Sequence, residues 1–311
     1  MSRRFAAVIM AAGKSTRMKS ALPKGARVIC GKAMTRHVVD ACLGAGIADI
    51  VVVVGHEAEK VKAAVGTDVS YAMQTEQLGT GHACLQAMPA ISDDVTDVVV
   101  LPGDAPLITS QALADLIETH AAKGNAATLL TAMFDDAGSY GRVVRGAGGA
   151  VKAVIEAKDA DEKTLALREV NASMYCFHKI DLAQNLARLR DDNAQGEYYL
   201  TDVIKMLADA GRPVGAVISP DPGDIMGINN RIELAQAAAG MRKRILDELM
   251  LAGVTIVDPA TTYIDCDVII GRDTIIHPCT VIERGSRIGA NCEVGPFARL
   301  RGVTLADGKK E

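Results

Sequence analysis

Between residues 264 and 300 an aliphatic side chain returns at every sixth position: Ile264, Ile270, Ile276, Ile282, Ile288, Val294 and Leu300. Small or β-branched residues fill the fifth place of most of these units, as at Val268, Thr274, Thr280 and Ser286. A period of six is neither the helical period of about 3.6 nor the strand period of about 2. It is the signature of a left-handed parallel β-helix, in which three hexapeptides complete one triangular coil. A solenoid buries its interior only against neighbouring repeats, and these units make little more than two coils. The segment is therefore read as a short β-helix stub.

Upstream the rhythm changes. Residues 5–10, 50–54 and 98–101 are continuously apolar, with helix-like patterns at 34–44, about 57–65 and 110–123. Apolar strands joined by crossover helices imply a mixed, mostly parallel α/β sheet covered on both faces. Ligands bind such sheets at the carboxyl ends of the strands, so the loops after Met10 and Leu101 are expected side by side. From Ala126 the strands shorten (127–133, 141–144, 151–156, 174–177) and are read as a second part of the same sheet, lying over the site. With 311 residues the chain exceeds what one core usually holds. The reading is an α/β domain over 1–230, a linker helix over 231–252 and the β-helix over 253–311.

Composition narrows the function class. A net charge of −4 argues against non-specific nucleic-acid binding, so any phosphate ligand must be held by local cations. Seven cysteines without a C-x-x-C pair fit free thiols in a reducing compartment. The N-terminal apolar run is short for a secretory signal, and no run reaches transmembrane length. The expectation is a cytoplasmic protein with no membrane partner.

Ala11, Ala12 and Gly13 follow the first strand and lead into Lys14-Ser15-Thr16-Arg17-Met18. Small residues let backbone N–H groups approach a phosphate, and Lys14 and Arg17 supply charge. Neither the P-loop nor the Rossmann glycine pattern is present. Leu22-Pro23-Lys24 adds a second cation next to a chain direction fixed by proline. By itself this could still be an ordinary strand-to-helix turn. Asp104, at the end of an apolar strand, could hold a hard cation or simply form a turn.

The opening A-A-G-x-S-T-R-M followed by L-P-K resembles that of the sugar-nucleotide pyrophosphorylases. The ordered set that follows narrows the resemblance: 74–83 (QTEQLGTGHA), 103–107 (GDAPL), 140–142 (YGR), 155–160 (IEAKDA), 196–202 (GEYYLTD) and 227–231 (GINNR). It is similar to the uridylyltransferase half of the bacterial bifunctional N-acetylglucosamine-1-phosphate uridylyltransferases, from residue 5 to about 305. The resemblance implies a Rossmann-like nucleotidyltransferase domain that uses Mg²⁺ to join UTP and N-acetylglucosamine 1-phosphate into UDP-N-acetylglucosamine and pyrophosphate, feeding cell-wall precursor synthesis. It assigns Arg17 and Lys24 to the triphosphate and transferring phosphoryl group, and Asp104 and Asn229 to the metal. Ala11, Ala12, Gly13, Gln74, Gln77, Gly79 and Thr80 would hold the nucleotide. Gly141, Glu156, Asn171, Tyr199 and Thr201 would hold the sugar phosphate.

Two departures stand out. Asn171-Ala172-Ser173 replaces the family's usual Asn-Thr-Gly, and Gly25-Ala26-Arg27-Val28 replaces a more apolar, His-containing stretch. His37, His56 and His82 show no metal spacing and are read as structural. In the resembling enzymes a longer β-helix trimerises the protein and carries an acetyltransferase. Arg299 and Arg301 match the start of that second site and its remaining residues have no counterpart. The expectations are no acetyltransferase activity, and a homotrimer weakened by the shortness of the β-helix. Two alternatives stay open: a nucleotidyltransferase for another nucleotide or sugar phosphate, and a non-catalytic sugar-nucleotide-binding assembly protein.

Overall fold

A computed structural model describes residues 3–13 and 16–311; Lys14, read above as a phosphate cation, lies outside them. The chain divides into two compact units, one made of Met1–Arg27 and Met34–Asn229, the other of Val28–Ala33 and Asn230–Glu311. Residues 28–33, which a contiguous first domain would include, thus group with the second unit.

The strands run β1 (Phe5–Met10), a two-stranded hairpin β2 (Val28–Ile29) and β3 (Lys32–Ala33), β4 (Asp49–Val54), β5 (Ser70–Met73), β6 (Asp97–Pro102), β7 (Ala127–Met133), β8 (Arg142–Arg145), β9 (Val151–Ile155), β10 (Glu169–His178) and β11 (Val214–Ile218). Seven of them form the first unit's sheet in the order β5-β4-β1-β6-β10-β7-β11, with β8 and β9 branching from β10. β1 is parallel to both β4 and β6, whereas β10 runs antiparallel to β6 and β7. The continuous apolar runs follow from this placement, since central parallel strands are covered on both faces. Alternate side chains serve opposite cores: Ala6, Val8, Val98 and Val100 pack on one side, Ala7, Ile9, Val99 and Leu101 on the other.

Helices α1 (Met34–Gly44), α2 (Ala58–Val65), α3 (Thr80–Ala87), α4 (Ser110–Lys123), α5 (Glu162–Leu165), α6 (Lys179–Leu186) and α7 (Thr201–Asp209) complete this unit. The sequence reading and the structure differ in several places, and β5, α6, α7 and β11 are not read from the sequence. α3 begins inside the segment read only as a nucleotide loop. β10 extends well beyond 174–177, because a bulge between Asn171 and Met174 absorbs the small polar residues that look like a break. β7 and β10 continue the plane of the sheet beside β6 instead of lying over the site.

The second unit opens with α8 (Arg231–Leu251), capped by the Asn230 side chain accepting from the N–H groups of Ile232 and Glu233. Nine short strands follow: β12 (Thr255–Ile256), β13 (Tyr263–Ile264), β14 (Ile269–Ile270), β15 (Ile275–Ile276), β16 (Val281–Glu283), β17 (Arg287–Ile288), β18 (Glu293–Val294), β19 (Arg299–Arg301) and β20 (Thr304–Leu305). They pair in parallel as three stacks, β12-β15-β18, β13-β16-β19 and β14-β17-β20. Ile264 lies over Ile282 and Leu300, and Ile270 over Ile288. The hexapeptide period is thus one inward residue per face of a parallel β-helix. Reading the sequence in strict sixes stops at Ile264, but Ile256 stacks on Ile276 as well. Its extra spacing is taken up by a corner where Asp258 accepts from Ala260 N and Thr261 Oγ1. Thr262, Thr274, Thr280 and Ser286 are fully buried inside the coil. Among the described residues no helix is long and apolar enough to cross a membrane.

Candidate active site

The loops that follow β1 and β6 are adjacent because those strands pair: Gly103 N donates to Met10 O at 2.9 Å, and Ala11 N donates to Val53 O at 2.8 Å. Together with residues from elsewhere in the first unit they enclose a cavity of about 480 Å³. Its lining includes Ala11, Ala12, Gly13, Arg17, Lys24, Gln74, Gln77, Gly79, Thr80, Asp104 and Asn229. Every residue assigned above to the nucleotide, the transferring phosphoryl group or the metal therefore faces one space.

Local structure explains how each is aimed. Met18 is fully buried and anchors the short turn that presents Arg17. Pro23 precedes a single turn over Lys24–Ala26. In that turn a Cβ on Gly25 would sit 2.4 Å from Thr35 Oγ1, so the Gly25 that departs from the family pattern lets the turn pack closely on α1. Asn229 reaches the site because Ile228 N donates to Asp104 O at 2.9 Å. Lys24 Nζ pairs with the Asp104 carboxylate and lies 3.3 Å from Asn229 Oδ1, and Arg17 Nη2 donates to that same oxygen at 2.8 Å. Two oxygen donors thus converge on one cationic group.

At the other end Gln74 is buried and its amide donates to Gly79 O at 3.1 Å. Gln77 Nε2 donates to Gln74 O at 3.3 Å. The backbone of 78–81 is clasped by 198–200: Tyr198 N donates to Leu78 O, Gly81 N to Tyr198 O and Leu200 N to Thr80 Oγ1. His82 lies between the side-chain amides of Gln74 and Gln86, at 3.1 Å from each, which is a supporting role.

The five sugar-phosphate candidates are arranged differently. None of Gly141, Glu156, Asn171, Tyr199 and Thr201 lines this cavity; Tyr140, Ala172, Ser173 and Glu197, their chain neighbours, do. Each of the five is instead tied by hydrogen bonds to neighbouring residues. Asn171 Nδ2 donates to Tyr175 Oη at 2.7 Å while Asn171 Oδ1 accepts from Ser173 N. Thr201 Oγ1 donates to Glu156 Oε1 at 3.1 Å, and Tyr199 Oη donates to Asp159 and accepts from Gln195. Gly141 O accepts from Asn171 N at 2.9 Å. The residue identities in the motifs do not reveal this difference. Ser173, within the bulge of β10 at φ 57°, is the left-handed non-glycine residue among those lining the cavity.

Burial holds the Glu156 carboxyl above the usual carboxylate range; the hydrogen bond from Thr201 opposes this, and the charges of Asp159, Asp202 and Glu197 add to it. The folded chain then takes up this proton more readily than the unfolded chain. The resulting penalty is absent where both states are protonated and grows as pH rises through the raised value. Without ligand, Glu156→Gln is expected to melt above the parent near about pH 8 and level with it near about pH 4. Thermal melting across pH checks this, and a variant melting lower at about pH 8 would give the Glu156 charge a stabilising role instead.

Among the described residues no three His, Cys, Asp or Glu side chains gather as a metal cage. Asp104 and Asn229 present oxygen atoms, the donor type that a hard divalent cation takes.

The MobA-like NTP transferase domain family matches residues 7–205, nearly all of the unit that carries this cavity, and the bacterial transferase hexapeptide family (six repeats) matches residues 267–302. The bifunctional protein GlmU of Brevibacillus brevis is 47% identical over 302 residues, covering 97% of this chain and 66% of that protein. The GlmU of a Geobacillus species is 45% identical over 308 residues, covering 99% and 67%. The chain belongs to the GlmU family. A further GlmU, from Acetivibrio thermocellus, is 46% identical over 97% of this chain. The chain spans about two thirds of the length of these GlmU relatives. Membership makes its first unit a nucleotidyltransferase domain and points to a divalent metal.

Proposed function

We propose that this chain transfers UMP from UTP to N-acetylglucosamine 1-phosphate, releasing pyrophosphate and forming UDP-N-acetylglucosamine. The observation that carries the reading is the two-ended cavity, with Arg17, Lys24, Asp104 and Asn229 at one end and Gln74, Gln77, Gly79 and Thr80 at the other. Such a transfer needs positioning and charge neutralisation more than covalent help. A sugar-phosphate oxygen attacks the α-phosphorus, the bond to the bridging oxygen breaks, and pyrophosphate leaves with that electron pair.

Each group has a role in that displacement. Arg17 and Lys24 neutralise the non-bridging and leaving oxygens as charge accumulates there. The small residues Ala12 and Gly13 let the phosphates approach the backbone closely. Uracil presents two carbonyls and one N–H, which the side-chain amides of Gln74 and Gln77 and the backbone near Gly79 can pair. Mg²⁺, held by Asp104 and Asn229, would offset phosphate charge when bound. Glu156, Asn171, Thr201, Tyr199 and Gly141 would hold the sugar, either after the wall formed by Ala172, Ser173 and Glu197 shifts or by supporting that wall.

A UTP-using enzyme with seven free thiols fits the cytoplasm. The apolar residues exposed on the β-helix, Tyr263, Ile269 and Ile275, support self-association, with a trimer as the proposed state. Ala172 and Ser173 at the cavity wall favour a second reading in which the same chemistry serves a different sugar phosphate. The deciding measurement is pyrophosphate release with Mg²⁺, crossing UTP, dTTP, CTP and GTP with N-acetylglucosamine 1-phosphate and glucose 1-phosphate. Release only with UTP and the acetylated sugar is the expected outcome. A different active pair moves the substrate assignment, and no release from folded protein favours a binding or assembly role.

A further inference from the structure

Asp104 and Asn229 are both engaged by cations supplied by the chain. Lys24 Nζ pairs with Asp104 Oδ2 and sits 3.3 Å from Asn229 Oδ1, the oxygen that also accepts from Arg17. Both members of the ion pair are largely withdrawn from solvent, with side chains 18% and 22% exposed. The carboxylate is thereby neutralised by an ammonium in the place where a divalent ion would bind.

We propose that Lys24 is an internal stand-in for the metal, occupying the Asp104–Asn229 oxygens in the nucleotide-free protein and yielding them when a triphosphate arrives. The inference rests on the reading of Asp104 and Asn229 as metal donors and adds a rule of occupancy to it. An ammonium and a divalent cation repel each other at contact distance, and in a partly buried site water screens that repulsion weakly. The oxygens therefore hold one or the other. In the free protein Lys24 has its anion at Asp104. With a triphosphate in the cavity the phosphates offer a second anion within the same lining, so Lys24 can turn to them without losing a counter-charge. Metal affinity is then low before the nucleotide binds and rises with it, a coupling that must act equally in both directions.

The same residues satisfy two further requirements. A resting ammonium keeps the Asp104 carboxylate from standing uncompensated in a half-buried site, which would be unfavourable. Lys24 also leads a one-turn helix packed against Thr35 through Gly25, so its backbone is fixed and only the flexible side chain has to move.

Mn²⁺ binding to the full chain without nucleotide, read from the electron paramagnetic resonance of the free ion, tests this. Lys24→Gln and Lys24→Met are expected to bind one Mn²⁺ at least about tenfold more tightly than the parent, with coupling of the size usual between linked sites. Lys24→Arg, which keeps the charge, is expected to gain no such affinity. The added site should vanish when Asp104→Asn is combined with Lys24→Gln. Equal Mn²⁺ affinity in parent and both neutral variants would overturn the proposal, as would neutral variants that stay folded by thermal melting and bind none. The underlying metal reading fails separately, if Asp104→Asn leaves Mn²⁺ binding unchanged in the presence of a non-hydrolysable UTP analogue.

Discussion

Asp104→Ala is expected to lower the turnover number for pyrophosphate release by about 10²–10³-fold, the loss typical of removing one preorganised charge-stabilising group. The fold should survive. The Asp104 carbonyl, which alanine retains, is what holds Ile228 N at 2.9 Å and so keeps Asn229 in place. The lost carboxylate is paired with the Lys24 side chain. The effect should fall mainly on turnover, since Arg17, Lys24 and the nucleobase end remain to bind UTP. Steady-state kinetics with a parallel melting curve separates the cases. Unchanged turnover from a folded variant would take Asp104 out of the mechanism.

The second large effect is expected from adding one carbon at Gly79. This residue has φ 110° and ψ 176°, a backbone region that is essentially glycine-only. A Cβ there would stand 2.7 Å from Tyr198 O and 2.8 Å from Tyr198 N. Neither atom can withdraw easily, because Tyr198 N is bonded to Leu78 O and Tyr198 O to Gly81 N. Gly79→Ala is therefore expected to destabilise the fold by about 2–4 kcal/mol, from dihedral strain and collision together. Since Gly79 O is what positions the Gln74 amide, the KM for UTP should rise by about tenfold, the equivalent of one lost neutral hydrogen bond. Denaturant melts and a UTP titration give both numbers. An alanine variant with parental stability and KM would mean the 78–81 and 198–200 clasp is adjustable.

Parts of this architecture can be read directly from residues. β1, β4 and β6 announce themselves because a strand buried on both faces has no polar positions to interrupt it. α1 has the bounds its periodicity implies, and the β-helix period is set by side chains that have one way to face inward. Other parts leave little trace. β5 is a short, half-exposed edge, and α3 hides in small residues chosen for close contact with 198–200. β12 escapes a strict count of six because the Asp258 corner lengthens its unit. At the site, motif identity brings the nucleotide and metal candidates to one cavity but is silent about depth. Asn171 and Glu156 are held by hydrogen bonds to Tyr175 and Thr201 and do not line the cavity, whereas Ala172 and Ser173 do. Nothing in their own types distinguishes a wall residue from the residue bracing it.

The bulge in β10 has a consequence for how this protein can change over generations. Gln74, Gln77 and Gly79 lie in the segment between β5 and α3, held by the clasp of 198–200. Another part of the cavity lining, Ala172 and Ser173, belongs to β10, the strand that ties the parallel half of the sheet to β7 on its far side. The bulge between Asn171 and Met174 leaves Ala172 and Ser173 without register partners on β7. They form a small window of tolerance in an otherwise fully committed strand. Substitutions at those two positions change the cavity lining at modest cost to the pairing of β10 with β7. Substitutions one step further along, at Asn171 or Met174, would alter that lining only by also loosening the pairing of β10 with β7.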